Sequence, residues 1–243
     1  DGRYYVKDDK FINDIVRAAK ELKPRFIALV RTPIPLMTGT DFEGIARVIE
    51  KQTQIPVFYF PTSGMHSYVS GAGMALETVA RELVLPTKWN KKENVSNELS
   101  VADTKKQNQQ KLNQSEQKQI ENTESKQSNS KIKINILGAT PLDFSVNSTL
   151  DSIKEFLSKH FEIISTFAMG STTEDIQKAG EADVNLVISS VGFQAAKVLE
   201  ERFSTPYVIG TPVKGFAGII AEKLIDAAWT GKSQTAYFSV TSS

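Results

Sequence analysis

Short apolar runs alternate with helix-period segments along most of this chain, and that alternation restricts it to one class of architecture. Residues 26–30 (Phe-Ile-Ala-Leu-Val) and 56–60 (Pro-Val-Phe-Tyr-Phe) read as strands, as do residues 132–137, 162–167, 184–188 and 206–209. Between them run amphipathic helices. Phe11, Ile12, Ile15, Val16, Ala19 and Leu22 recur at helical spacing behind Asp8 and Asp9 and stop near Lys23-Pro24. Thr40 or Asp41 is placed to cap a second helix, with Phe42, Ile45, Ala46, Val48 and Ile49 facing a sheet, and a third helix is expected to end near Leu85. Further on, a helix over 145–160 buries Leu150, Ile153, Phe156 and Leu157. Thr172 and Asp175 make a capping-box-like start, and helices follow over 193–203 and 218–228.

Strands that are apolar throughout and separated by helices belong in parallel sheets covered on both faces. The expected fold class is α/β, with doubly wound parallel sheets forming repeated Rossmann-like or flavodoxin-like domains. Residues 1–87 form a partial unit with two strands, too few to be stable alone. Either residues outside this sequence complete that sheet, or its elements pack against the second half. Residues 88–130 are crowded with Gln, Asn, Lys, Ser and Glu and have no period, so they read as a disordered polar linker or insertion. Residues 131–231 form a four-stranded unit, and 232–243 a tail.

Charge and composition narrow the partners. Twenty-nine basic against 28 acidic residues give a net charge of +1, which offers no overall field for nucleic acid or an anionic membrane. No apolar run approaches the roughly 20 residues that span a bilayer. Asp1-Gly2-Arg3-Tyr4-Tyr5 is neither a signal peptide nor a natural start, so an upstream segment is expected and the cytoplasm is the default compartment. The 243 residues contain no cysteine, which removes disulfides and thiolate metal ligands from this chain.

In doubly wound sheets ligands sit beyond the carboxyl ends of the strands. That rule selects residues 31–41, 61–66, 138–141, 168–173, 189–193 and 210–215, loops rich in Gly, Ser, Thr and Pro. Such residues offer backbone amides and hydroxyls to an anion, a carboxylated ligand or a polar partner. They are also the turn and cap residues that any α/β fold requires. Gly71-Ala72-Gly73 lacks dinucleotide-fingerprint spacing and reads as helix packing, and no phosphate-loop pattern occurs. Of the two histidines, His160 ends a helix and reads as structural, whereas His66 lies in a strand-end loop and is the candidate proton donor or axial ligand. Neither a nucleophile elbow nor a His-Glu-x-x-His pattern is present.

The run Arg31-Thr32-Pro33-Ile34-Pro35-Leu36 followed by Gly39-Thr40-Asp41 resembles the signature of the nitrogenase component 1 family, in which a strand leads into Cys-Pro and Gly-Asp-Asp opens a helix. The resemblance continues through Ile55-Pro56-Val57, Asn135-Ile136-Leu137-Gly138, Gly170-Ser171-Thr172-Thr173-Glu174-Asp175-Ile176, Ala182-Asp183-Val184-Asn185-Leu186-Val187 and Leu199-Glu200-Glu201-Arg202-Phe203 before Pro206-Tyr207. Thr32 stands where the family has a cluster cysteine, and Ser189 where it has the cysteine that anchors the metallocofactor. Hydroxyls that stay protonated at neutral pH are poor ligands for such clusters.

The resemblance implies an oxidoreductase subunit that binds a tetrapyrrole or metallocofactor in a cleft between its domains. It would pair with a homologous component 1 subunit and take electrons from a separate ATP-dependent iron-sulfur reductase. Thr32, Thr38, Gly39, Ser63 and His66 would line one wall, and Gly170, Ser171, Ser189 and Gly192 the other. The competing reading is a non-catalytic ligand-binding or scaffold protein that keeps the fold without its cluster ligands.

Overall fold

The computed structural model describes residues 3–30, 40–62, 64–86, 131–144, 147–213 and 215–236. Thr32, Thr38, Gly39 and Ser63, the linker expected over 88–130 and the end of the tail lie outside them. The described elements, in order, are α1 (Arg3–Leu22), β1 (Ile27–Val30), α2 (Phe42–Thr53), β2 (Val57–Phe60), α3 (Tyr68–Glu82), β3 (Ile132–Leu137), α4 (Asn147–Ser158), β4 (Phe161–Phe167), α5 (Thr173–Gln177), β5 (Val184–Val187), α6 (Phe193–Phe203), β6 (Tyr207–Ile209), α7 (Ala217–Thr230) and β7 (Gln234–Thr235). The expected α/β class is what forms, and every strand pairing is parallel.

The first sheet pairs β1 with β2, Ile27 opposite Val57 through Val30 opposite Phe60. One face is packed: Leu29 and Val57 meet Ile12 and Val16 of α1 and Phe42, Ile45 and Ile49 of α2. Asp41 caps α2 by accepting the Gly44 amide at 2.9 Å. The expectation of a strand buried on both faces fails for β1, since Ala28 and Val30 are exposed. With only two strands among the described residues, α1 and α2 cover the Leu29 face, while on the other Phe58 is buried beside Phe26, and Ala28 and Val30 stay exposed. For the same reason Leu22 and Val48, assigned to apolar faces by helical spacing, are exposed: the narrow sheet buries a narrower stripe of each helix.

The second sheet has five strands in the order β4-β3-β5-β6-β7. This corrects the expected four, because Gln234 and Thr235 pair with Val208 and Ile209 at the start of the assumed tail. Two residues after the Gly231 cap of α7 are too few to show a period. Ile134, Ile136, Leu150, Ile153, Leu157, Leu186 and Leu224 fill the core under α4 and α7. On the opposite face Leu137, Phe167, Val187, Ala195 and Leu199 meet Leu76, Ala80 and Val84.

The last three residues belong to α3 and the turn after it, so the helix that follows β2 in sequence covers the second sheet in space. The boundary expected at residue 87 therefore does not separate two packing units. Arg202 of α6 fixes the arrangement: its guanidinium donates to the carbonyls of Ala80, Arg81 and Val84 at 2.7, 2.8 and 3.0 Å, satisfying groups that a helix end leaves open.

A buried polar row crosses the strands. The Asn135 amide donates to the Asn185 side-chain oxygen and the Ala179 carbonyl, both at 2.8 Å, and accepts the Ser165 hydroxyl at 2.8 Å. Asn135 and Asn185 are completely shut off from solvent, so each of these bonds offsets a desolvation cost.

Candidate functional site

The order β4-β3-β5 places the switch in strand order between β3 and β5, and the loops after these strands form the crevice where such sheets take ligands. Here the backbone closes on itself. The Ser189 hydroxyl donates to the Gly138 carbonyl at 2.8 Å. Gly138 has φ +93°, and a Cβ there would stand 2.6 Å from the Ser189 oxygen. A Cβ on Gly192 would fall 2.5 Å from the Leu137 carbonyl carbon. Two glycines thus let β3 and the turn after β5 touch, and α3 lies over that turn with Gly73 facing the Val191 carbonyl. Ser189 and Gly192 lie together here, both against the backbone of Leu137 and Gly138.

At the end of β4, Gly170 (φ +82°) and Ser171 form the loop into α5. The Ser171 hydroxyl accepts the Thr166 amide at 2.6 Å. Thr172 and Asp175 close the expected capping box: Asp175 accepts the Thr172 amide at 2.9 Å and its own amide reaches the Thr172 hydroxyl at 3.2 Å. Those bonds to Thr172 hold the Asp175 carboxyl below the ordinary carboxylate range, with smaller help from Lys178 and Lys154. Lys154, from α4, brings its ammonium to 3.1 Å from where a Gly170 Cβ would stand. The Thr166 hydroxyl beside this loop is buried without a hydrogen-bond partner.

His66 is exposed in the bend before α3. Two residues on, the Tyr68 phenol is hydrogen-bonded to the hydroxyl of Thr140, which donates to Asp143 at 3.0 Å. Because Thr140 spends its only proton on Asp143, it must accept from Tyr68. This chain of bonds fastens the start of α3 to the loop after β3. Beyond β6, Gly210, Thr211, Val213, Phe216, Ile219, Ile220 and Ala236 line an apolar cavity of about 190 Å³ without a charged group.

A pattern described as nitrogenase component 1 type oxidoreductase matches residues 7–221. The chain belongs to that family. One subunit of the light-independent protochlorophyllide reductase of Nostoc punctiforme is 32% identical over 85 residues, covering 34% of this chain and 17% of the relative. The equivalent subunit from Rhodopseudomonas palustris is 32% identical over 112 residues, covering 40% and 21%. Structures of nitrogenase Cp1 at pH 6.5 and pH 5 align with TM-scores of 0.61 and 0.57 at 19% and 20% identity, over 92% and 83% of this chain. They share its fold. The chain spans about a fifth of the length of those curated relatives and little more than a third of those structures.

For this nitrogenase component 1 type chain the donor set decides what it can hold. It has no thiol, and the described residues contain no group of three or more His, Asp or Glu placed to hold a metal ion. A thiolate-ligated cluster does not fit these residues. The 190 Å³ cavity is also below the roughly 300–1,000 Å³ of a typical ligand pocket. No helix among the described residues is long and apolar enough to cross a membrane.

The strand-end rule selects the loops holding Thr140 and residues 210–213; Lys154, the partners Tyr68 and Asp143 of Thr140, and the clamp by Arg202 escaped sequence reasoning. Thr140 and Asp143, three residues apart after a strand, carry a turn signal that was available. A lysine on an amphipathic helix carries none.

Proposed function

We propose that this chain is a nitrogenase component 1-like oxidoreductase subunit that binds a tetrapyrrole or metallocofactor in a cleft between its two sheets. A homologous component 1 subunit supplies the facing wall, and a separate ATP-dependent iron-sulfur reductase in the cytoplasm supplies the electrons. The observation that carries this reading is the family match over residues 7–221 on a doubly wound sheet whose carboxyl edge offers backbone, hydroxyl and apolar surface together. Relatives that reduce protochlorophyllide favour the tetrapyrrole. His66, on the loop leading to α3, is the proton donor in this scheme.

A second reading, a ligand-binding or scaffold protein without redox activity, draws on the absence of thiols from these 243 residues. Anaerobic purification of the full-length gene product with its genomic neighbours separates the two. Iron-sulfur absorption in the complex, with reductase- and ATP-dependent bleaching of a bound tetrapyrrole, is expected. A colourless protein that recruits no partner and responds to no reductase would discard the oxidoreductase reading.

A further inference from the structure

The corner at the carboxyl end of β4 has more polar capacity than the fold uses. Lys154 projects from α4 until its ammonium rests against Gly170, whose missing side chain leaves it room. Among the described residues this ammonium has no hydrogen bond or ion pair; its charged neighbour, Asp175, is engaged with Thr172. Glu174, the other carboxylate at the start of α5, is paired with Arg25.

Two hydroxyls are in the same corner. Ser171 accepts the Thr166 amide, which leaves the Ser171 proton for another acceptor. Thr166 is 1% exposed, and its hydroxyl has no partner. Strand alternation puts it on the α4 face, since its neighbour Phe167 packs in the opposite core with Leu76 and Leu199. A cation, an orphaned buried hydroxyl and a second hydroxyl with a proton to donate thus border one loop. All three offer donors, so the complementary group is an anion. Under the tetrapyrrole reading, on which this inference rests, the anion is a carboxylate on the ring's periphery.

We infer that Lys154, with Thr166 and Ser171, forms a carboxylate-binding corner that anchors an acidic side arm of the ligand at the carboxyl end of β4. The corner selects the free acid over an ester, because an ester brings no charge to Lys154 and fewer acceptor sites to the hydroxyls.

Protoporphyrin IX and its dimethyl ester are the probes, titrated into the full-length protein in complex with its co-purified partner subunit and followed by quenching of porphyrin fluorescence. The wild type is expected to bind the diacid about tenfold more tightly than the diester, the scale of a charge-assisted hydrogen bond. Lys154→Gln should bring the two within about twofold, Lys154→Arg should restore most of the preference, and Ser171→Ala should remove part of it. Unchanged thermal unfolding of Lys154→Gln verifies that the fold survives. Tight binding of both porphyrins with a preference insensitive to Lys154 would overturn the corner and leave the tetrapyrrole reading standing. Failure of the wild type to bind either porphyrin would overturn both.

Discussion

The guanidinium of Arg202 lies 2.7 Å from the carbonyl oxygen of Ala80, a contact that joins residues 122 positions apart and ties α6 to the end of α3. Arg202→Ala removes this bond and those to Arg81 and Val84, and should cost about 2 kcal/mol, the order of a lost hydrogen bond to a charged group. Arg202→Lys should recover less than half, because a point ammonium lacks the planar fork that reaches three carbonyls. Urea unfolding of the three proteins measures both differences.

Asn135→Ala strands the Ser165 hydroxyl and removes the donor from Asn185 inside a dry core. A loss of about 2–3 kcal/mol is expected, more than an exposed asparagine would show. A chemical unfolding midpoint within experimental error of wild type would mean that water reaches this row.

Two glycines should respond in opposite directions to alanine. At Gly192 the new Cβ meets backbone atoms of Leu137 and Gly138 at 2.5–2.7 Å, so Gly192→Ala should destabilise by about 3 kcal/mol or prevent folding. At Gly71, inside α3, a Cβ meets nothing within 4 Å, and Gly71→Ala should stabilise by about 0.5–1 kcal/mol. Thermal melts of the pair make the comparison.

Asp175 gives an acid limb to stability. Its folded-state pKa is depressed, first by its bonds to Thr172, so the carboxylate contributes above its unfolded value and the contribution is lost as pH falls through the folded one. Asp175→Asn should lower the unfolding midpoint at neutral pH and flatten its fall on the acid side of the ordinary carboxylate range, so that variant and wild type converge at low pH. An unaltered acid limb in the variant would assign it to other carboxylates.

Tyr68→Phe removes the hydroxyl that binds Thr140 while keeping the ring, and about 1 kcal/mol should be lost. Hydrogen exchange should rise first in the opening turn of α3, where Ser67 also caps the helix through the Ser70 amide.

Periodicity makes much of this fold legible. The helix expected over residues 193–203 forms with the same bounds, and Thr172 and Asp175 form their box, because both signals are local. β7 is invisible since two residues carry no alternation, and it exists through pairing with Val208 and Ile209. The exposure of Val30 and Val48 follows from how many strands assemble, which no window of sequence reports. At the site, the strand-end position of Ser189 and Gly192 is legible from the strand that precedes them. What they do there, closing backbone on backbone, depends on Leu137 and Gly138, more than 50 positions away. Lys154 is hidden for the same reason: its meaning comes from reaching Gly170.

The place of α3 has a consequence for dissection of the molecule. Severing the polypeptide between residues 87 and 130 would part the covalent chain without parting the core, since Leu76, Ala80 and Val84 stay seated against Ala195, Ala196 and Leu199. Residues 131–243 expressed alone would present that face to water and aggregate, whereas adding residues 1–86 in trans should reconstitute the pair. In this molecule the natural seam for a split reporter runs through the middle of the sequence and around the middle of the fold.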